Sequence, residues 1–139
     1  MKTLFIISSF LFLVIGVAHS REIIIKDCYT VSESLKGEFN KERYSQFYFK
    51  VDPKNKIITQ VWSFTDSGLE EIKGLLPNTK KNNIVNFKLG FIDNNFAEGE
   101  EYDSSGKSIS KITIDLKKNY VEKQMSIGAD YKFTYQCRK

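Results

Sequence analysis

The chain has 139 residues, with 21 Lys and Arg against 17 Asp and Glu, one His, two Cys and a formal net charge of +4. So small a positive excess, spread along the whole chain, is not the footprint of nucleic-acid binding, which concentrates basic residues among aromatics. The length suits one domain with one core, and no linker, repeat or low-complexity tract divides it.

Residues 1–20 read as a secretory signal peptide. Lys2 supplies a positive start, Leu4 to Val17 is an apolar run broken only by Ser8, Ser9 and Gly16, and Ala18-His19-Ser20 precedes the charged Arg21 and Glu22. The run is shorter than the ~20 residues that cross a bilayer, and no other segment approaches that length. Cleavage after Ser20 leaves residues 21–139 as a single β domain with a charge of about +3 and no transmembrane segment. It also removes His19, the only histidine, and with it the usual general base and the commonest zinc ligand. The expected location is periplasmic or secreted.

The first strand is expected from about Ile23 to Ser32, where β-branched residues surround Cys28. In an oxidising compartment Cys28 and Cys137 are expected to form a disulfide. Closing so long a loop stabilises a fold by ~3–5 kcal/mol, and it requires the terminal strands to bring their Cα atoms within about 7 Å. Glu33 to Arg43 is polar apart from Leu35 and Phe39 and reads as a long loop or one loose helical turn.

Tyr44 to Val51 alternates, Phe47, Phe49 and Val51 falling on one face. Asp52-Pro53-Lys54-Asn55 is a turn, and Ile57 to Phe64 returns as an antiparallel partner. Ser67 and Glu70 have capping-box spacing, and Leu69, Ile72 and Leu76 share a helical face, so a short helix is expected over Ser67–Leu76 before Pro77 stops it.

Val85, Phe87, Leu89 and Phe91 alternate as the next strand, followed by a turn at Asp93-Asn94-Asn95. Phe96 to Tyr102 is a poorer strand, expected near an edge. After Asp103-Ser104-Ser105-Gly106, Ile112, Ile114 and Leu116 form one face, with Ile109 out of phase by one residue, as at a bulge. A turn around Lys117-Lys118 leads to Val121, Met125 and Ile127, then Gly128-Ala129-Asp130. The last strand places Tyr131, Phe133, Tyr135 and Cys137 on one face. Seven or eight short strands joined by hairpin turns must hide their edges, so the expected fold is all-β: a small antiparallel up-and-down barrel with one short helix, or alternatively a two-sheet β-sandwich.

Chemistry is hard to assemble from these residues. No Gly-x-Ser-x-Gly occurs, the cysteines are expected to be paired, and a serine with a lysine base, such as Ser108 or Ser110 with Lys111, is no more than scattered polar residues provide. Glu98 and Glu100 lie about 7 Å apart on one strand face, a separation that also serves glycosidases, but acids on a solvent-facing strand explain them equally. With Asp93 and Asp103 they are weaker candidates for a metal, and they match no calcium-loop pattern. No catalytic residue and no cofactor is expected. The aromatic residues carry more information. Tyr48, Trp62, Tyr131, Phe133 and Tyr135 are candidate lining for a ligand site, tyrosines offering both an apolar face and a hydroxyl. The leading expectation is a non-enzymatic exported binding protein for a small apolar or amphipathic ligand. The alternative is a protein-interaction or envelope-structural module, including inhibitor-like binding to a protein partner.

Overall fold

A computed structural model describes residues 21–34, 36–126 and 131–138. The expected signal peptide, Leu35, Ile127 and the Gly128-Ala129-Asp130 turn lie outside the described residues.

The strands are β1 (Ile23–Thr30), β2 (Tyr44–Asp52), β3 (Ile57–Phe64), β4 (Asn82–Ile92), β5 (Phe96–Tyr102), β6 (Ser108–Asp115), β7 (Tyr120–Met125) and β8 (Lys132–Arg138), with one helix, α1 (Asp66–Lys73), between β3 and β4. Each strand pairs antiparallel with its sequence neighbours, and β8 returns to β1, closing an eight-stranded barrel. Closure decides between the two expected architectures in favour of the barrel. It also corrects the expectation for β5, which pairs with both β4 and β6 and has no free edge.

Alternation sets which side chains enter the barrel. Phe47, Phe49 and Val51 of β2 stand opposite Trp62, Gln60 and Ile58 of β3, and cross-strand partners share a face. The same inner face holds Phe87, Ala97, Ile112, Ile114 and Val121, all buried. Each large aliphatic or aromatic side chain so buried contributes ~1.5–3 kcal/mol. Gly99 belongs to this layer because nothing larger fits: a Cβ there would stand 2.9 Å from the Lys88 carbonyl oxygen and 3.2 Å from Ile58 and Phe87 side-chain atoms. The outer face carries Lys50, Lys88, Glu98, Lys111 and Glu122. No helix among the described residues is long and apolar enough to cross a membrane.

Cys28 and Cys137 form the expected disulfide, their Cα atoms 4.0 Å apart. Strict alternation from Ile23 and Ile25 would turn Asp27 inward and Cys28 outward. A shift of register between Lys26 and Tyr29 reverses this. Asp27 adopts φ 52°, in the left-handed region that Asp tolerates better than most residues, and its carboxylate pairs with the Arg138 guanidinium. Cys28 is thereby aimed into the barrel at Cys137. A second shift, between Glu101 and Tyr102 opposite Ser110 and Ser108, leaves Ile109 as the extra residue, as its phase suggests.

The helix differs in detail from the expected one. It spans Asp66–Lys73, and its N-cap is Thr65, whose hydroxyl oxygen accepts from the Gly68 N–H at 3.0 Å. Ser67 instead donates to the Glu42 carbonyl. Leu76 lies beyond the last turn and is exposed, so only Leu69 and Ile72 of the expected apolar face are partly covered.

Candidate ligand site at one end of the barrel

The β3–β4 and β5–β6 connections and the described residues of the β1–β2 connection lie, with the end of β7 and the start of β8, at one end of the barrel, called here the upper end, and the shorter turns at the other. The lower turns are held by local acids. Asp52 accepts from the Asn55 backbone and side-chain amides at 3.1 and 2.7 Å, which hold its carboxyl below the usual range. Asp93 accepts from the Asn95 and Phe96 N–H groups, both at 2.7 Å.

The upper interior begins with a cluster of rings. Phe47 is its hub, its centroid 5.5 Å from Tyr44, 5.9 Å from Phe49, 6.4 Å from Trp62 and 5.5 Å from Tyr135. Tyr44 also stacks on Phe64 at 5.2 Å. These contacts follow from register: Phe47 faces Trp62 across β2–β3, while the tilt of the closed sheet brings β8 against β2 inside the barrel.

Polar side chains occupy the same level. On four strands the inner phase changes from apolar to polar one step toward the upper end: Ile58 gives way to Gln60, Gly99 to Glu101, Ile112 to Ser110 and Val121 to Lys123. The Lys123 ammonium donates to Gln60 Oε1 at 3.3 Å and lies 5.4 Å from the centre of the Phe87 ring. Burial pulls its pKa below the ordinary lysine value, and attraction to Glu101 acts in the opposite sense. Ser110 Oγ donates to Glu101 Oε1 at 2.9 Å. Burial pushes the Tyr135 hydroxyl up to about 12, with hydrogen bonding to Gln60 acting in the opposite direction.

Above this layer, the described residues of the β1–β2 connection form with Thr30 and Tyr44 an open-sided pocket of about 480 Å³. Its walls bring the rings of Tyr29, Phe39 and Tyr44 together with Lys36, Lys41, Arg43 and the acids Glu33, Glu38 and Glu42. The loop has an internal scaffold: Ser34 Oγ donates to the Glu38 carbonyl and accepts from the Glu38 N–H, with Gly37 between them at φ 65°. The Glu33 carboxylate and burial both raise the Tyr44 pKa, burial contributing more. The volume falls within the ~300–1,000 Å³ typical of small-molecule sites.

Of the sequence candidates, Trp62 and Tyr135 meet through Phe47. Phe133 shares their face, opposite Lys123, and at 40% exposure stands at the barrel mouth. Tyr48 pairs with Val61 on the outer face, because it is out of phase with Phe47 and Phe49. Tyr131 precedes β8, is 62% exposed and enters neither the ring cluster nor the pocket. Phe47, Gln60, Lys123 and the loop residues were not singled out by sequence. The signal for the polar pair was a lysine in phase with Val121 and Met125, and a glutamine in phase with Ile58 and Trp62.

The acidic candidates separate. Glu98 and Glu100 lie on the outer face, Glu100 3.9 Å from Lys111, while Glu101 points inward. Asp103 accepts from the Ser105 N–H, the Ser105 hydroxyl and the Lys107 N–H, bonds that hold its carboxyl below the usual range. Among the described residues no group of three or more His, Cys, Asp or Glu could hold a metal ion. No protein-family model matches the chain, and no curated protein or solved structure matches it either.

Proposed function

We propose that the protein is an exported, non-enzymatic binding protein whose ligand is a small amphipathic molecule held at the upper end of the barrel. The observation that carries this is the open-sided pocket of about 480 Å³, in which three rings and both signs of charge line one hollow that meets the Phe47 cluster at Tyr44. The lining mixes rings with charged side chains, a combination that suits an amphipathic ligand better than a purely apolar one. Export is supported by the leader-like residues 1–20 and by a disulfide, which persists in oxidising compartments.

The test is a titration of the mature protein with 1-anilinonaphthalene-8-sulfonate, an amphipathic fluorophore, comparing the wild type with Thr30→Trp, which places a large ring in the pocket. A saturable rise in emission with wild type that Thr30→Trp abolishes supports the assignment. Equal titration of both proteins, or no rise with either, sinks it. A protein-interaction module would instead draw on the exposed apolar residues Leu75, Leu76 and Ile84, all outside the pocket.

A further inference from the structure

Lys123 is a costly residue to bury. Its side chain points into the barrel, where the residues beneath it are apolar, and it is only 9% exposed. An ammonium group has three donors. Among the described residues Lys123 makes one hydrogen bond, a long one to Gln60 Oε1 at 3.3 Å, and no ion pair. Glu101 attracts it without reaching it, that carboxylate being engaged by Ser110 Oγ at 2.9 Å. The Phe87 ring and the Glu101 carboxylate compensate that charge only at a distance, so the ammonium keeps donors for an anion that a ligand would bring.

The surroundings say what kind of anion. Gln60 accepts from Lys123 and lies near enough to the Tyr135 hydroxyl to act on its pKa, so an ammonium, an amide and a phenol hydroxyl gather in one part of the barrel interior. Thr30, which lines the loop pocket, is the cross-strand partner of Tyr135, so Tyr135 stands beside the pocket wall. One positive charge suits a monoanion, and the nearby Glu101 opposes a second negative charge. Building on the pocket assignment, we infer that Lys123, Gln60 and Tyr135 receive the carboxylate of a small amphipathic acid whose apolar body lies against Phe133, Trp62 and the pocket rings. The ligand is a monocarboxylate, held as the direct ion-pair partner that Glu101 does not provide.

Trp62 is the only tryptophan and reports on this level of the barrel. Its emission is followed during titration of the mature protein with dodecanoate, dodecanol and dodecyltrimethylammonium. Charge-assisted hydrogen bonds to a buried carboxylate predict that wild type binds dodecanoate at least ~10-fold more tightly than dodecanol. In Lys123→Met that ratio falls to about one. Lys123→Gln, which keeps a partner for Gln60, gives the same loss if the methionine variant folds poorly. Equal affinity of wild type for dodecanoate and dodecanol, or a preference that survives both substitutions, overturns the carboxylate inference and leaves the pocket assignment standing. Binding of none of the three compounds overturns both.

Discussion

Opening the Cys28–Cys137 bond perturbs the barrel at its seam, and the separation of 109 residues fixes the size of the effect. Both sulfurs are buried, so the reduced thiols keep most of their native packing, and the change falls on the unfolded chain. Freed of a loop of that length, the unfolded state gains conformational entropy worth about 5 kcal/mol at 25 °C. At roughly 4 °C per kcal/mol for a domain of this size, the melting temperature falls by about 15–20 °C. The assay is urea denaturation followed by circular dichroism, with and without reductant, and with Cys28→Ala/Cys137→Ala as the thiol-free control. Reduction should lower the midpoint and raise the m-value, since an uncrosslinked unfolded chain exposes more surface. A loss below about 1 kcal/mol with unchanged m would refute the reasoning, because it would mean that the two ends stay together in the unfolded state without the bond.

Other substitutions test particular contacts. Asp27→Val forces a β-branched residue into φ 52° and should cost ~1–2 kcal/mol in chemical denaturation, whereas Asp27→Asn, which tolerates that conformation, should cost less. Gly68→Ala places a Cβ 2.2 Å from the Arg43 carbonyl oxygen, a backbone atom that cannot step aside, so helix α1 must shift and the melting temperature drop by the equivalent of ~1–3 kcal/mol. Tyr135 holds its proton up to about 12 in the folded state because it is buried, while the unfolded chain loses it near the ordinary value of 10. Between those values the unfolded state binds fewer protons, so stability falls as pH rises, by about 3 kcal/mol in total. Tyr135→Phe should flatten that alkaline decline in urea titrations from pH 9 to 12, and an unchanged slope would contradict the burial of the hydroxyl.

The strands were legible because their alternation is strong. Phe47-x-Phe49-x-Val51 and Ile112-x-Ile114 can face a core in one way only, and the phase slip at Ile109 announced its bulge. Closure was less legible, since hairpin-length turns fit a barrel or a sandwich equally; the disulfide favoured a seam between the terminal strands, but the bulge that turns Cys28 inward has no sequence signature beyond a tolerant Asp27. The helix boundary moved because Thr65, one residue after β3, caps it before Ser67 can. In the candidate site, the type of a ring does not say which way it faces. Phase places Tyr48 outside with Val61, and it also places Gln60 and Lys123 inside. A polar residue in an apolar phase reads as tolerance when it occurs on one strand; the approach of Lys123 to Gln60 and of Ser110 to Glu101 emerges only when the closed barrel brings those strands together. The loop pocket was the least legible part, because the polar run from Glu33 to Arg43 has no periodicity to say how it folds back over Tyr44.

The most direct measurement is native mass spectrometry of the mature protein recovered from its own export compartment. The account predicts a single polypeptide at the disulfide-bonded mass carrying an added small mass that leaves on denaturation, that identifies as an amphipathic monocarboxylate, and that is depleted in Lys123→Met. A bare polypeptide, or one recovered only in complex with another protein, would contradict it.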